Sequence, residues 1–147
     1  MPLFSFFIFS PQGECIYSKE YPQITATVPQ TSTSSWKLLI GLLMNLKFLT
    51  SEINPRASTF PHTSLHCYST KEYKIHCYET LPGVRFVVCT DSTTKDLRGD
   101  LMYIYSNLYV EYVMKNPFYT PGEYIRCIKF EELLDEKLRS LPCFSRP

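Results

Sequence analysis

Two segments of this chain are apolar at nearly every position: residues 4–9 (FSFFIF) and 84–89 (VRFVVC). Successive side chains on a strand point to opposite faces, so a strand with one wet face should alternate apolar and polar residues. These two do not alternate, and each needs apolar cover on both sides. The residues around them are hairpin-forming. Ser10-Pro11-Gln12-Gly13 is a turn signal, and residues 14–19 read as the returning strand. Three further strands are expected near 65–69, 73–80 and 84–90, joined by a short polar turn at 70–72 and by Leu81-Pro82-Gly83. Hairpin connections make the sheet antiparallel, and a sheet buried on both faces must carry helices on both. The residues alone therefore predict an α+β, three-layer α/β/α domain.

Three helices are expected. Residues 35–53 place Leu38, Leu39, Leu42, Leu43, Leu46, Leu49 and Ile53 on one wide face, ended by Asn54-Pro55. A second helix should start from caps within 91–94 and run to about residue 116, before Pro117, with Leu97, Leu101, Ile104 and Leu108 as its core face. Tyr105, Tyr109 and Tyr112 widen that face. Thr120-Pro121-Gly122-Glu123 reads as a capping box opening a third helix, with Cys127, Phe130, Leu134, Leu138 and Leu141 on its core side. The Thr/Ser/Pro-rich stretch 21–34 carries no charge and reads as a loop.

Composition narrows the function. A length of 147 residues with 44% hydrophobic content fits one domain (1–147) with a sizeable core, and excludes disorder. A net charge of +1 argues against nucleic-acid binding through a broad basic field. The strongly apolar stretch 38–46 is broken by Gly41 and Asn45 and falls far short of the ~20 residues a membrane span needs. The N-terminal residues have no basic region before Lys19 and no small-residue cleavage site, so a strand is expected there rather than a signal peptide.

Six cysteines (Cys15, Cys67, Cys77, Cys89, Cys127, Cys143) include no Cys-x-x-Cys pair, and are expected as reduced thiols in a cytoplasmic domain. His62, His66 and His76 are the only histidines. His66–Cys67 and His76–Cys77 are adjacent in sequence, so on a strand neither pair can form a dyad by itself. Glycine-rich phosphate loops are absent. No catalytic residue, metal or cofactor is expected.

Surplus apolar residues are the stronger functional signal. A surface helix needs one apolar stripe. Ile40, Met44 and Phe48 recur opposite the leucine face of the first helix, and Tyr103, Val110 and Met114 lie away from the core face of the second. Contiguous apolar surface beyond a core's needs marks an interaction site, so these six are the candidate partner-binding residues.

YKIHCYETLPGVRFVV at 73–88 resembles the central hairpin of the small longin-type subunits of the TRAPP (transport protein particle) complex. YIYSNLYVEYVMKNP at 103–117 resembles the second helix of that family, KLLIGLLMNLKFL at 37–49 its first, and SLPCF at 140–144 its tail. Ser10-Pro11-Gln12-Gly13 stands where the family often has Asp-Arg-x-Gly. The resemblance implies a longin-like (profilin-like) fold: a five-stranded antiparallel sheet, one helix on one face and two on the other. It implies a non-catalytic scaffold subunit of a vesicle-tethering assembly that also exchanges guanine nucleotide on a Ypt/Rab-type GTPase in ER-to-Golgi transport. Other TRAPP subunits would be its partners, the GTPase and the membrane being reached through the assembly. A small longin-like subunit of a coat adaptor complex, and a small Cys/His enzyme, are the competing readings.

Overall fold

The computed structural model describes residues 3–21, 35–55 and 66–141. The 22–34 stretch, His62 and Cys143 lie outside the described residues. Strands β1 (Leu3–Phe9), β2 (Cys15–Glu20), β3 (Cys67–Ser69), β4 (Tyr73–Glu79) and β5 (Arg85–Asp91) form one antiparallel sheet in the order β2-β1-β5-β4-β3. The two segments without polar alternation are thus central neighbours, with Phe7 opposite Val87 and Ile8 opposite Phe86. Helix α1 (Ser35–Ile53) lies on one face. Phe7, Phe9, Ile75, Cys77 and Val87 form a core with Leu43 there. On the other face Phe6, Ile8, Phe86 and Val88 pack with Leu101, Ile104, Phe130, Leu134 and Leu138 from two later helical elements.

The two hairpins built on glycine share one chemistry. Gly13 (φ +87°) and Gly83 (φ +98°) hold the left-handed conformation that closes each turn, which side chains with a Cβ resist. Gly13 N–H donates to the Ser10 carbonyl at 2.9 Å, and Gly83 N–H to the Thr80 carbonyl at 3.0 Å. Both turns lie at the same end of the sheet, and a Cβ on Gly83 would sit 3.2 Å from Pro11 Cβ.

Two helix starts differ from expectation. The polar side chains at 91–94 make a turn instead of a cap, with the Thr93 and Thr94 hydroxyls donating to the Asp91 carboxylate. Helix α2 begins later, at Arg98, whose N–H meets Asp96 Oδ1 at 3.0 Å. Thr120-Pro121-Gly122-Glu123 is a tight turn and not a capping box, because Gly122 sits at φ +94°, which no right-handed helix accepts. Proline followed by glycine is also the signature of a type II turn. The chain then runs along the outer edge of β2, with Ile125 N–H donating to the Ile16 carbonyl at 2.7 Å. Helix α3 (Ile128–Ser140) follows and buries Phe130, Leu134 and Leu138 as its periodicity requires.

Helix α2 (Arg98–Tyr103) continues without a break into a π-helical segment, Ile104–Met114. The reason is in the spacing of its apolar residues. Buried Leu97, Leu101, Ile104 and Leu108 fit an α-helix, but the pattern then continues at Tyr109 and Val113. An α-helical continuation from Leu108 would turn Glu111 and Lys115 toward the core. The wider π turn, in which an N–H reaches back five residues, buries Val113 and leaves Glu111 and Lys115 exposed, paired at 2.8 Å.

Candidate partner-binding surface

Helix α1 touches the sheet along a narrow stripe. Among its described side chains Leu43 is buried, and Leu39, Ile40 and Leu42 are half-buried against the same core. Lys47 Nζ reaches Glu79 Oε1 on β4 at 2.8 Å, which pins the rotation of the helix. This orientation corrects the expected core face. Leu38, Leu49 and Ile53 are exposed rather than buried, at 78%, 52% and 68%. A face that wide is broader than one helix can press onto a sheet, and Lys47 takes a place on the sheet side.

Of the six candidate residues, Met44, Phe48, Tyr103 and Met114 are exposed. Ile40 and Val110 are half-buried and pack against the two cores. The residues do not form one patch. Met44 and Phe48 join Leu38, Leu49 and Ile53 around α1, making that helix apolar on almost every side. Tyr103 and Met114 lie across the sheet from it. Tyr103 is engaged within the chain, with Lys137 Nζ 4.6 Å from its ring centroid and Lys137 paired with Asp100 at 3.1 Å. Beyond Met114, Phe118 and Ile128 are exposed. Near them a cleft of about 540 Å³ is lined by Val113, Tyr119, Ile125 and Cys127.

Sequence reasoning missed the exposure of Leu38, Leu49 and Ile53 because the periodicity of α1 is nearly isotropic. The available signal was Lys47, a cation that has to find a carboxylate at the sheet.

The histidine–cysteine pairs separate as strand geometry requires. Cys67 lies directly opposite His76 across β3 and β4. His76 is fully buried, and its Nε2 lies 2.9 Å from Thr90 Oγ1. Its Nδ1 has no hydrogen-bond partner among the described residues, so the Cys67 thiol does not engage it. Burial, helped by nearby Lys74, lowers the His76 pKa to about 4. Burial pushes the Cys77 and Cys89 thiols up to about 11, which keeps them protonated and unreactive. His66 instead meets the Arg98 guanidinium, whose Nη1 lies against its Nδ1. Among the described residues, no group of three or more His, Cys, Asp or Glu side chains is placed to hold a metal ion. No helix among them is long and apolar enough to cross a membrane. What the described surface offers most plainly is apolar contact, through the exposed residues of α1.

A family model described as the Sybindin-like family matches residues 3–141. The chain belongs to this family. The trafficking protein particle complex subunit 1 of Dictyostelium discoideum is 37% identical over 143 residues, covering 97% of this chain and 99% of that protein. The subunit of the same name from Rattus norvegicus is 34% identical over 146 residues, covering 99% and 97%. Among solved structures, the gliding protein MglB of Thermus thermophilus is similar at a TM-score of 0.46 and 14% identity, over 67% of this chain and 68% of that one. The sybindin-like chain has the longin-like architecture expected of it: five antiparallel strands, with α1 on one face and α2, the π segment and α3 on the other.

Proposed function

We propose that this chain, as a single longin-like domain, is a non-catalytic core subunit of the TRAPP vesicle-tethering complex. In this reading it contributes to guanine nucleotide exchange on a Ypt/Rab-type GTPase in ER-to-Golgi transport. It acts in the cytoplasm, at the cis-Golgi and endoplasmic reticulum, and meets membranes only through the assembly. The observation that carries the reading is α1, whose Leu38, Met44, Phe48, Leu49 and Ile53 face solvent together. Such a patch is an aggregation liability on a lone chain and an interface core inside an assembly. The near full-length similarity to relatives named as complex subunits supports it. Ile40, Met44 and Phe48 on α1, and Tyr103, Val110 and Met114 across the sheet, are the proposed contact residues. Ile40 and Val110 act from beneath, by setting the position of the exposed residues around them.

The physical role of such a subunit is to fix distances. A sheet with helices packed on both faces is rigid, so neighbours bound on opposite faces are held at one separation and angle. Exchange then requires no side-chain chemistry from this chain. Reconstitution with the other small subunits tests the reading. The expected result is stoichiometric recovery in one complex, with GTPase nucleotide release falling when this chain is omitted. Met44→Asp should lower recovery without changing the thermal midpoint of the isolated chain, while substitutions of Cys67, Cys77 or His76 that leave folding intact should leave exchange unchanged. A stable lone monomer, whose omission does not alter nucleotide release, would sink the proposal.

A further inference from the structure

We propose that the α1 surface continues over the two glycine turns, and that Leu81 at their tip inserts into an uncharged apolar pocket on a different subunit. This rests on the assembly reading above and goes beyond its six contact residues.

Two contacts place the turns beside α1. Ile40 Cγ1 lies 3.8 Å from where a Cβ on Gly13 would be. Lys47 is held by Glu79, the last residue of β4 before the second turn. Met44 is one helical turn from Ile40 and three residues from Lys47, which puts it on the same side of α1 as these two contacts. The turns themselves pack together through Pro11 and Gly83.

Leu81 has 105% relative exposure, so no described part of the chain shelters it. A single exposed leucine on a mobile loop needs no explanation. This one sits on a braced hairpin. Thr80 N–H donates to the Val84 carbonyl at 2.9 Å, Val84 N–H donates to Thr80 Oγ1 at 3.1 Å, and Pro82 fixes its own φ. A preorganised apolar knob loses little conformational entropy on binding, which is what an interface anchor requires.

The patch also indicates its partner. Pro11, Gln12, Leu81 and Pro82 at the turn tips carry no charge, Lys47 and Glu79 neutralise each other, and exposed Glu14 stands only at the base of the first turn. At about 150–250 Å² per large side chain, the exposed parts of the five α1 residues together with Leu81 amount to on the order of 800 Å², one partner's share of a stable interface. A second copy is the wrong occupant. Two-fold pairing would set the same protruding surface against itself, and the cleft near Val113 and Ile125 lies across the sheet. A knob-to-cleft contact between copies would propagate instead of closing.

The test uses the full chain and the purified neighbouring subunits. Leu81→Lys should weaken binding to one of them about tenfold or more, whereas Leu81→Met should stay close to wild type, with both thermal midpoints unchanged. A chain with the photo-reactive residue p-benzoylphenylalanine in place of Leu81 should cross-link to that subunit. Wild-type affinity for Leu81→Lys, or no cross-link from position 81, overturns the inference while the α1 reading stands if Met44→Asp still weakens binding. Failure of the wild-type chain to bind any neighbour overturns both.

Discussion

His76 and Arg85 each place an ionisable group where water cannot follow, and they resolve the cost differently. His76 stays neutral. Its folded pKa of about 4 lies below the ordinary value near 6.5, so as pH falls the unfolded chain takes the proton first. Its contribution is complete above pH 6.5 and is lost as pH falls toward 4, a decrease of about 2–3 kcal/mol. Urea midpoints measured between pH 7 and pH 4 should show this slope, and His76→Gln should remove that part of it. Arg85 cannot shed its charge, and at 7% side-chain exposure it relies on Glu79, 3.6 Å away and shared with Lys47. Glu79→Ala would leave that guanidinium buried without a counter-ion. Thermal or urea denaturation should show a loss of about 3–5 kcal/mol, far more than for an exposed pair such as Glu111 with Lys115. Neither consequence was readable from the sequence. His76 sits in an ordinary YKIHCYE run, and its burial depends on β4 lying inside the sheet and β3 at the edge.

At the scale of elements, α1 and the π segment show where periodicity is informative and where it is not. In α3 the pattern was legible: its moderate apolar content leaves one face for Phe130, Leu134 and Leu138, and they are buried. In α1 apolar residues occupy most of the wheel, so its length was readable but its rotation was not. The rotation makes a clear prediction. Leu43→Ala should cost about 3 kcal/mol or more by opening a cavity under the helix, whereas Phe48→Ala should change stability by less than about 1 kcal/mol despite removing a larger side chain. Urea unfolding of the two variants checks this, and equal losses would contradict the orientation. In the π segment the sequence held the signal, since Glu111 and Lys115 fall where an α-helix would bury them, but reading it required abandoning the α period after Leu108. Val110 is affected as well. It packs against the core, so Val110→Asp should destabilise the isolated chain, in contrast to Met44→Asp.

For the whole molecule, exposed apolar area and small net charge act together. A sequence pI near 7.6 leaves little repulsion between chains at neutral pH, and α1 offers them a contact. Light scattering of the isolated chain should therefore rise toward pH 7.6, and the double substitution Met44→Asp, Phe48→Asp should suppress it without lowering the thermal midpoint. Addition of the neighbouring subunits should suppress it as well. The layered architecture was already written into the order of residues. Residues 4–9 and 84–89 have apolar side chains on both faces, backbone alternation sends those side chains both ways, and only a central position under two helix layers satisfies them. The glycine turns and the strand count followed from local chemistry, because a left-handed glycine is required within a few residues of where it acts. Other features had to wait for the folded chain: which side of α1 meets solvent, that Gly122 breaks the expected capping box, and that Leu81 stands fully exposed. Each depends on which distant residue arrives opposite: Glu79 for Lys47, Ile16 for Ile125, Pro11 for Gly83. Burial is a property of pairs separated along the chain, and a single sequence records only one member of each pair at a time.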